Sequence, residues 1–515
     1  MSKRIRLRFA PSPTGPLHMG GVRTALFSYL FAKKNDGDFI LRIEDTDQNR
    51  FVPGAEEYII EALRWCGIAP NEGVGFGDGP YAPYRQSERK PLYARYAEQL
   101  KQSGQAYIAF DTADEIEARR KIAEASGQTF SYDASVRMSM RNSLSLSSEE
   151  VAHLIASNTP YVYRLKVTPG EIITFTDLIR GEVSFQSSIV DDKVLLKSDG
   201  MPTYHLAHIV DDYLMEISHA VRGEEWLPSA PAHILIYRYL GWEEKMPHYA
   251  HLPLLLKPDG HGKLSKRDGD RLGFPVFPLN WRDPASGELS SGYREKGYEP
   301  EAFINLLALL GWNPGTEQEI FSLQELTTLF TFEHIQKAGA RFDPEKALWF
   351  NTQYVHKLPP EALRQHLHEQ LIAHGLDASD SRMHDAYLSA ASELLRPRIH
   401  FRNELLSAGS YLFFRPSQFD TETLNKKWKV GMTSYFQAMA AHISATESDT
   451  AEAVKHFITA GTFKAGEVMQ PLRILVSGAS GGADLMGMIQ LFGGKETAER
   501  IIAALHQLQL NENGN

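Results

Sequence analysis

The first 43 residues constrain the fold of this chain more than any other stretch, because they combine three patterns in a fixed order. Apolar and basic residues alternate over residues 4–9, with the two-residue period of a β-strand. A loop rich in proline and glycine follows over residues 10–21, and a helical period then runs over residues 22–34. A second strand pattern covers residues 39–43. Because a helix connects the two strands, we expect a parallel pair within an α/β domain.

The same α/β pattern is interrupted further along the chain and then resumes. Residues from about 105 to 195 mix short strand patterns with a charged helix and a serine-rich loop, which indicates an α+β insertion. After it we predict strands at residues 194–197, 217–221 and 252–256, with a helix over residues 228–240. The sequence therefore predicts a parallel sheet that is split by an insert.

The C-terminal third of the chain has a different character. Strand patterns fade from about residue 300, and helical periods dominate, as at residues 302–310, 386–396 and 499–508. We therefore predict that the last ~170 residues are all helical. Basic clusters with aromatic neighbours occur at residues 396–402 and 426–429, and each one taken singly is more simply a solvated helix face.

Composition excludes several classes of protein. The chain has 515 residues, so at about 100–200 residues per domain it should hold about three to five domains. Its net charge of −10 argues against a polybasic nucleic-acid coat. A single cysteine, Cys66, excludes a disulfide framework and any zinc site that needs two thiolates. No signal-peptide core opens the sequence and no stretch approaches ~18 apolar residues, so we expect a cytoplasmic multidomain protein without a membrane span.

Two loops carry residue types that bind phosphate. The first holds His18 and two glycines between a strand and a helix N-terminus, where free N–H groups and the helix dipole favour anions. The second, residues 257–269, presents Lys263 and Lys266 on a glycine-rich segment, where lysines suit charge that develops on a departing phosphate. Alone, the first is equally a capped βα turn and the second a solvated basic loop. Together they predict two halves of a triphosphate clamp.

Six motifs occur in an order that resembles the glutamyl-tRNA synthetase family of class I aminoacyl-tRNA synthetases. Residues 8–21 (RFAPSPTGPLHMGG) are similar to the HIGH motif of this family, and residues 263–267 (KLSKR) to its KMSKS loop. The likeness continues to residues 471–473 (PLR), close to the C-terminus. The intervening motifs are residues 41–47 (LRIEDTD), residues 84–89 (YRQSER), residues 204–207 (YHLA) with Asp211 and Asp212, and residues 221–226 (VRGEEW); residues 297–302 (GYEPEA) and 309–312 (LLGW) extend them.

The resemblance implies both an architecture and an activity. The architecture is a Rossmann-like parallel-sheet catalytic domain with an inserted α+β acceptor-binding domain, followed by an all-helical C-terminal anticodon-binding domain. The activity is activation of L-glutamate by ATP, with Mg²⁺, and transfer of glutamate to the 3′-terminal adenosine of tRNA(Glu), by a protein that is a monomer by family default. The expected boundaries are residues 1–104 and 195–256 for the catalytic domain, 105–194 for the insert, 257–345 for the KMSKS-type loop and stem-contact region, and 346–515 for the anticodon-binding domain.

The resemblance also assigns site residues. Glutamate carries two carboxylates and one ammonium, so its pocket needs fixed cations and one anion. Arg8 and Arg222 each end a predicted strand, at the sheet edge where α/β proteins bind ligands, and the family places matching arginines on the side-chain carboxylate. Without the resemblance, each arginine is a surface charge, and Glu44 belongs to a solvated acidic turn or a metal-binding cluster. The expected glutamate pocket is Arg8, Ala10, Ser12, Glu44, Tyr204 and Arg222; the expected ATP site is His18, Gly20, Gly21, Lys263 and Lys266, with His18 and Lys266 catalytic.

Three features depart from the family pattern. Members that bind zinc carry a Cys-x-Cys pair after an Ala-Tyr, whereas residues 106–111 (AYIAFD) contain no cysteine, so we expect no structural zinc. Position 208, four residues after Tyr204, is His208 where the family often has asparagine. Residues 274–292 lengthen the region after the second loop, and the resemblance gives them no role.

Other functions remain open at this point. Glutaminyl-tRNA synthetase shares the catalytic core but typically has Pro-Glu-Pro-Asn where this chain has PSPT at residues 11–14, and it ends in β-barrels. A shortened tRNA-modifying glutamyl transferase lacks an anticodon-binding domain. A non-catalytic tRNA-binding paralogue would lose His18 or Lys266, and both are present. A small-molecule nucleotidyltransferase with a similar histidine loop would need neither the insert nor the helical tail. Whether tRNA(Gln) is also charged depends on anticodon contacts that sequence patterns do not identify.

Overall fold

The computed structural model describes residues 4–446 and 449–509, without the side chains of Lys266, Arg267 and Asp270. The chain divides into two compact units, Met1–Ala347 and Leu348–Asn515. The strands are β1 (Arg6–Phe9), β2 (Asp38–Leu41), β3 (Glu72–Gly73), β4 (Ala106–Ala109), β5 (Val162–Leu165), β6 (Ile172–Asp177), β7 (Gly181–Gln186), β8 (Val194–Leu196), β9 (His219–Gly223), β10 (His248–Leu252), β11 (Leu255–Leu256), β12 (Trp281–Arg282), β13 (Leu289–Ser290) and β14 (Ala340–Arg341).

The helices are more numerous than the strands. In chain order they are α1 (Met19–Lys34), α2 (Ala55–Trp65), α3 (Lys90–Gln102), α4 (Ala113–Ala125), α5 (Ser148–Ala156), α6 (Tyr204–Leu214), α7 (Ala230–Tyr239), α8 (Lys266–Leu272), α9 (Tyr293–Lys296), α10 (Pro300–Leu309), α11 (Leu323–Leu329), α12 (Pro344–Lys357), α13 (Pro360–Ala373), α14 (Asp385–Leu395), α15 (Leu405–Gly409), α16 (Thr421–Lys427), α17 (Met432–Ile443), α18 (Thr450–Ala460), α19 (Ala465–Ser477) and α20 (Leu485–Gln507).

A seven-stranded sheet with the order β3-β2-β1-β9-β10-β6-β7 organises the first unit. Its neighbouring strands run parallel except for β6 and β7, which form an antiparallel hairpin at one edge. Strands β1 and β2 are buried along their whole length, as expected for parallel strands that are covered on both faces. The predicted strand–helix–strand unit at the N-terminus is therefore confirmed.

Two pairings differ from the sequence-based expectation. The strand predicted at residues 194–197 forms as β8, but it lies in a small antiparallel sheet with β4 and β5 instead of the parallel sheet. The hairpin of β6 and β7 falls inside the predicted insert, residues 105–194, yet it extends the main sheet through the pairing of Asp177 with Tyr249. A short apolar strand fits either sheet equally well, so long-range pairing decides which sheet it joins.

A third difference concerns the strand predicted at residues 252–256. Here β10 ends at Leu252 and β11 begins at Leu255. Pro253 lies between them, and because proline lacks a backbone N–H group it cannot continue a central strand. The short β11 pairs instead with β14.

The second unit contains helices as its only regular elements within the described residues, which confirms the all-helical prediction for this part of the chain. Helices α17 and α20 pack against each other, and α19 also packs on α20. Their buried faces share one apolar core, which includes Leu395, Phe436, Leu472 and Ile501. Burial of these side chains stabilises helices that would be marginal in isolation.

The carboxyl ends of four adjacent strands carry charged or titratable residues. Arg8 lies in β1, Arg222 in β9, His251 in β10, and Asp177 ends β6. Because β1, β9, β10 and β6 are consecutive in the sheet, these side chains share one edge. Open α/β sheets bind their ligands at this edge.

None of the helices described in residues 4–446 and 449–509 combines the length and the apolar character needed to cross a membrane.

Candidate active site

One cavity of about 890 Å³ lies at this edge of the sheet. It receives side chains from strand ends, from the loop before α1 and from the segment that precedes α8. The structure thus brings together ten of the eleven residues that the sequence predicted for the site, while the side chain of Lys266 is outside the described part. The ten are Arg8, Ala10, Ser12, His18, Gly20, Gly21, Glu44, Tyr204, Arg222 and Lys263.

Arg8 is buried, and each of its three guanidinium nitrogens makes at least one contact. Its Nε and Nη2 donate to the two carboxylate oxygens of Asp212 at 3.0 and 3.1 Å, and its Nη1 donates to the carbonyl of Val221 at 3.2 Å. Its Nη2 also lies 2.9 Å from Nε2 of His208. Although burial opposes ionisation of Asp212, the charges of Arg8 and its neighbours hold the pKa of that carboxyl well below its usual range. Arg8 and Asp212 therefore form a buried ion pair with fork-to-fork geometry.

Glu44 supplies a buried negative charge. Its Oε1 accepts from Nη2 of Arg42 at 3.0 Å and lies 2.9 Å from Nδ1 of His208. Burial would raise the pKa of the Glu44 carboxyl, but His208 and Arg42 outweigh burial and lower it. Both hydrogen bonds fall on Oε1, so within the described residues Oε2 has no protein donor. Because Glu44 lines the cavity, this second oxygen is available to a cationic group of a ligand.

His208 connects these two groups as a neutral ring. Arg8 only donates hydrogen bonds, so Nε2 of His208 must accept, and the proton on Nδ1 then points at Glu44. Burial lowers the pKa of His208, although Asp212, whose Oδ2 lies 3.4 Å from Nε2, and Glu44 oppose this effect; the lowered pKa agrees with a neutral ring. The departure at position 208 therefore places an imidazole between Arg8 and Glu44.

Arg222 contrasts with Arg8 because its partners are uncharged. Its Nε donates to Nε2 of His251 at 2.9 Å, and its Nη1 lies 3.1 Å from Nδ1 of His233 and 3.4 Å from the Tyr204 hydroxyl. Its guanidinium also lies over the ring of Tyr249, at 4.8 Å from the centroid. Nη2 is buried without a hydrogen-bond partner, and no carboxylate of the described residues is within ion-pair distance of Arg222.

Sequence analysis missed several residues that hold the pocket together. Asp212 lies four residues after His208 on α6, so both face the same side of the helix, and this spacing was a usable signal. His233 on α7 and His251 on β10 gave no local signal, because each acts only through burial beside Arg222. Trp226 also lines the cavity, and its ring lies 4.8 Å from that of Tyr204.

The other end of the cavity is formed by the N-terminus of α1. His18 precedes this helix, and its Nδ1 accepts from the backbone N–H groups of Gly20 and Gly21 at 3.0 and 3.3 Å. Because Nδ1 accepts, the ring proton lies on Nε2, which can donate to an anion. The position of His18 deep in the cleft lowers its pKa, and the ammonium of Lys263 adds to this effect.

Gly20 and Gly21 are required by close approaches. A Cβ on Gly20 would lie 2.9 Å from Cε1 of His18, and a Cβ on Gly21 would lie 2.4 Å from Cδ1 of Leu17. Side chains at these positions would therefore displace the groups that shape the helix N-terminus. The end of α1 stays open for an anion such as phosphate.

The segment before α8 presents Lys263 to the cavity, while backbone hydrogen bonds join the segment to β11. Nζ of Lys263 lies 2.8 Å from Oε1 of Glu225, and both side chains are about half exposed (48% and 41%). Asp268 caps α8 by accepting from Ser265, and it also pairs with Lys257 at 3.3 Å. Because a half-exposed ion pair contributes little free energy, the Lys263 ammonium can exchange Glu225 for an anionic ligand.

Residues 274–292, which the sequence left without a role, form part of the cavity wall. The carbonyl of Val276 accepts from the backbone N–H of Met19, the first residue of α1, at 2.8 Å. Farther along, the hydroxyl of Tyr58 donates to the carbonyl of Leu279 at 2.5 Å. Val276, Phe277, Trp281 and Asp283 line the cavity. The segment therefore connects the lysine-bearing loop (residues 257–269) to α1, the helix that follows the loop with His18.

Among residues 4–446 and 449–509, no group of three or more His, Cys, Asp or Glu side chains is arranged to hold a metal ion. Cys66 is buried, and burial raises the pKa of its thiol.

Comparison with known proteins identifies the family. A family model described as "tRNA synthetases class I (E and Q), catalytic domain" matches residues 4–349, and one described as "Anticodon binding domain" matches residues 361–505. The glutamate--tRNA ligase of Porphyromonas gingivalis strain W83 is 52% identical over 513 residues, covering 99% of this chain and 100% of that protein. The Cytophaga hutchinsonii enzyme of the same name is 52% identical over 98% of both chains.

Solved structures give the same answer. The crystal structure of a glutamate tRNA ligase from Elizabethkingia meningosepticum, in complex with its amino acid, superposes with a TM-score of 0.93 at 47% identity, covering 98% of this chain and 99% of that chain. A glutamate-tRNA synthetase from Elizabethkingia anophelis gives a TM-score of 0.91 at 48% identity, covering 98% and 100%. With its family matches, strand-edge cavity and helical second unit, the chain belongs to the class I tRNA synthetases of the glutamyl and glutaminyl group.

Proposed function

We propose that this chain is a glutamate–tRNA ligase, which activates L-glutamate with ATP and transfers it to the 3′-terminal adenosine of tRNA(Glu). The observation that carries the proposal is Arg222, a buried cation that faces the cavity without a carboxylate partner in the described residues. Glu44, a buried anion, lines the same cavity. A ligand that matches both brings a carboxylate to the arginine and an ammonium to the glutamate, and L-glutamate carries both groups.

The relatives support the choice of glutamate over glutamine. The P. gingivalis and C. hutchinsonii proteins are named glutamate--tRNA ligases over their whole length, and the E. meningosepticum structure holds its amino acid. We infer that Arg8 and Arg222 bind the side-chain carboxylate, with Tyr204 beside them. Glu44 binds the α-ammonium, and Ala10 and Ser12 line the remaining wall.

We assign ATP to the end of the cavity where α1 begins. Nε2–H of His18 and the N-terminus of α1 contact the phosphates, and Gly20 and Gly21 allow the close approach. Lys263 leaves Glu225 to meet the triphosphate, and Lys266 stabilises the charge that develops as pyrophosphate departs.

The chemistry has two steps. An oxygen of the glutamate α-carboxylate attacks the α-phosphorus of ATP, the bond from this phosphorus to the bridging oxygen breaks, and pyrophosphate leaves with that electron pair. A ribose hydroxyl of the terminal tRNA adenosine then attacks the carbonyl of glutamyl-adenylate. AMP leaves, and the hydroxyl proton passes to a phosphate oxygen or to water. Because the first attacking group is already an anion, the first step needs no general base, and placement with cationic stabilisation supplies the rate.

Magnesium belongs to the nucleotide in this proposal. The described residues offer no cluster of three acidic or histidine side chains for a bound metal ion, so we place Mg²⁺ on the phosphates. There it would screen phosphate charge. We also expect no structural zinc, and elemental analysis of untagged protein should find well under one zinc per chain.

Three further assignments follow the family. The helical second unit binds the anticodon, where unpaired bases can be stacked and read at their edges. Residues 105–194 contact the acceptor end, and residues 257–345 contact the stem. The protein acts as a monomer in the cytoplasm.

Amino-acid-dependent ATP–pyrophosphate exchange tests the proposal. All twenty amino acids are assayed, with and without tRNA, and we expect exchange with glutamate alone. Exchange with glutamine instead would identify a glutaminyl-tRNA synthetase. Absence of exchange with every amino acid, with tRNA binding intact, would identify a non-catalytic tRNA-binding paralogue.

A further inference from the structure

A chain of two buried hydrogen bonds runs behind Arg222, on the side that the proposed substrate does not touch. Nε of Arg222 donates to Nε2 of His251 at 2.9 Å, and Nδ1 of His251 lies 2.6 Å from Oδ2 of Asp177. The side chains of His251 and Asp177 have no exposed surface. The three residues come from β9, β10 and β6, which are neighbours in the sheet.

The geometry fixes the tautomer of His251. A guanidinium only donates hydrogen bonds, so Nε2 of His251 must be an acceptor without a proton. The single ring proton therefore lies on Nδ1 and is donated to Asp177. Burial lowers the pKa of His251, although Asp177 opposes this effect, and a neutral ring agrees with both contacts.

Asp177 is itself held in one orientation. Its Oδ1 accepts from the backbone N–H groups of Ile179 and Arg180 at 2.9 and 3.0 Å, and its Oδ2 also accepts from the backbone N–H of His251 at 3.1 Å. With the ring of His251, four donors point at this carboxylate. These hydrogen bonds lower the pKa of Asp177 although burial opposes ionisation. Asp177 is therefore a fixed anion at the end of β6.

Each of the two arginines of the pocket contacts a histidine that in turn faces a carboxylate, but only Arg8 also pairs directly with a carboxylate among the described residues. Arg8 contacts a neutral histidine, His208, whose Nδ1 faces the carboxylate of Glu44, and it also pairs directly with Asp212. Arg222 contacts His251, His233 and the Tyr204 hydroxyl, and it pairs with no carboxylate among the described residues. The neutral ring of His251 separates Arg222 from Asp177, which leaves the guanidinium charge for a ligand while His251 holds Nε.

We propose that His251 and Asp177 are positioning residues that set the preference of this site for a carboxylate over a carboxamide side chain, an inference that rests on the proposed function. His251 orients Arg222 by accepting at Nε2, and Asp177 keeps His251 in the accepting tautomer. Neither residue needs to touch the substrate. If the acceptor is lost, Arg222 can turn away from the substrate, and the advantage of glutamate over glutamine decreases.

The test compares two substitutions of His251, each of which keeps one of its two hydrogen bonds: the one to Arg222 or the one to Asp177. In His251→Gln the amide oxygen can occupy the place of Nε2 and accept from Arg222. In His251→Asn the shorter amide reaches only Asp177. The readout is kcat/KM for glutamate divided by kcat/KM for glutamine, in the tRNA-dependent assay, with KM and kcat separated. His219→Asn on the same strand as Arg222, buried at its other end, is the matched control.

We expect His251→Asn to lower the ratio at least tenfold, mainly through a higher KM for glutamate, whereas His251→Gln stays within about threefold of the wild type. His219→Asn should leave the ratio unchanged. Asp177→Asn is a second test of the same inference, because its amide places N–H groups next to donors that already surround this position. It should also lower the ratio. If a thermal melt shows that His251→Asn does not fold, the result for Asp177→Asn decides the inference.

Two negative results are distinguishable. If the wild type activates glutamate but the Asn and Gln variants at position 251 lose activity equally toward both substrates, His251 supports only the fold and the inference is wrong. If the wild type itself shows no glutamate-dependent exchange, the proposed function is wrong and the inference is wrong with it.

Discussion

The two ends of the cavity are built in opposite ways. At the end that we propose for the amino acid, Arg8, Arg222 and Glu44 are buried on or next to strands, and each makes at least two hydrogen bonds to other buried side chains. At the end that we propose for ATP, His18 is exposed to the cleft, and the Lys263 ammonium makes one half-exposed ion pair. The charged groups of the first end are therefore held by buried hydrogen bonds, and those of the second end are more exposed.

This difference matches what each substrate demands. Glutamate and glutamine have nearly the same shape, so only a fixed and desolvated charge separates them. ATP needs no such discrimination, but its pyrophosphate must be held in the transition state and then released, which suits exposed cations that are weakly paired. The account therefore predicts that substitutions at the first end change specificity, whereas substitutions at the second change rate.

The largest effect is expected from Arg222→Gln. Glutamate should lose kcat/KM by about 10²–10⁴, because a buried charge partner is worth about 3–5 kcal/mol and each 1.36 kcal/mol is tenfold. Glutamine should lose far less, since its amide has no charge to satisfy. Steady-state kinetics with both amino acids measure the effect. Equal losses for the two substrates would mean that Arg222 contacts a shared group or only supports the fold.

Lys266→Ala should nearly abolish activation while the fold stays intact. The loss of one cationic contact to the transition state costs about 3–4 kcal/mol, or about 10²–10³ in rate. The measurement is ATP–pyrophosphate exchange at saturating glutamate. The control is Lys101→Ala, which removes a surface lysine of α3 that pairs with Glu98 and lies near the ring of Tyr163. Activation within a factor of about two of the wild type would contradict the assignment of Lys266.

Gly20→Ala should weaken ATP binding more moderately. The added Cβ would lie 2.9 Å from His18, so the imidazole must shift and its two bonds to backbone N–H groups weaken. We expect the KM for ATP to rise about 5–30-fold, for a cost of about 1–2 kcal/mol. The matched control is Gly466→Ala, also at the second position of a helix, where a Cβ meets nothing within 4 Å. An unchanged KM for ATP in Gly20→Ala would argue against a role of His18 in phosphate binding.

The last effect concerns stability in acid, and we expect it to leave activity near neutral pH unchanged. His205, which contacts His233 at 3.3 Å, has its pKa lowered to about 4 by burial and by Lys193. The unfolded chain therefore binds more protons at this site than the folded one between pH ~6.5 and ~4. Stability should fall by about 1.4 kcal/mol per pH unit from this group as pH decreases through that window, and stay level above it.

Urea unfolding at pH 7.5, 6.0 and 5.0 measures this slope. His205→Gln should make the slope smaller by that amount, and the same substitution at the exposed His153 should not. A slope that is identical in His205→Gln and in the wild type would show that His205 is not the group responsible.

Local patterns predicted much of the fold, because most of its helices and strands show a recognisable hydrophobic period within ten or twenty residues. The N-terminal strand–helix–strand unit and the helical second unit follow from periods of two and 3.6 residues. The placement of β8 and of the β6–β7 hairpin did not follow, because pairing between Asp177 and Tyr249 joins residues far apart in the chain. Such pairing depends on the assembled core.

The same contrast holds for the site. His18, Gly20 and Gly21 lie in one short loop whose sequence already suggests phosphate binding. Asp177 and His251 lie on separate strands, in residue types that are common anywhere, and they acquire a role only when the sheet brings them behind Arg222. The residues that support Arg222 from behind were therefore harder to predict from sequence than the loop that holds His18.

The ratio of kcat/KM for glutamate to that for glutamine, determined side by side for the wild type, Arg222→Gln and Lys266→Ala, decides whether one end of the cavity sets specificity and the other sets rate. We expect this ratio to fall about 10²-fold or more in Arg222→Gln, for the loss of about 3 kcal/mol or more of discrimination, and to stay within about threefold of the wild type in Lys266→Ala. A ratio that falls equally in both variants, or in Lys266→Ala alone, would contradict this expectation.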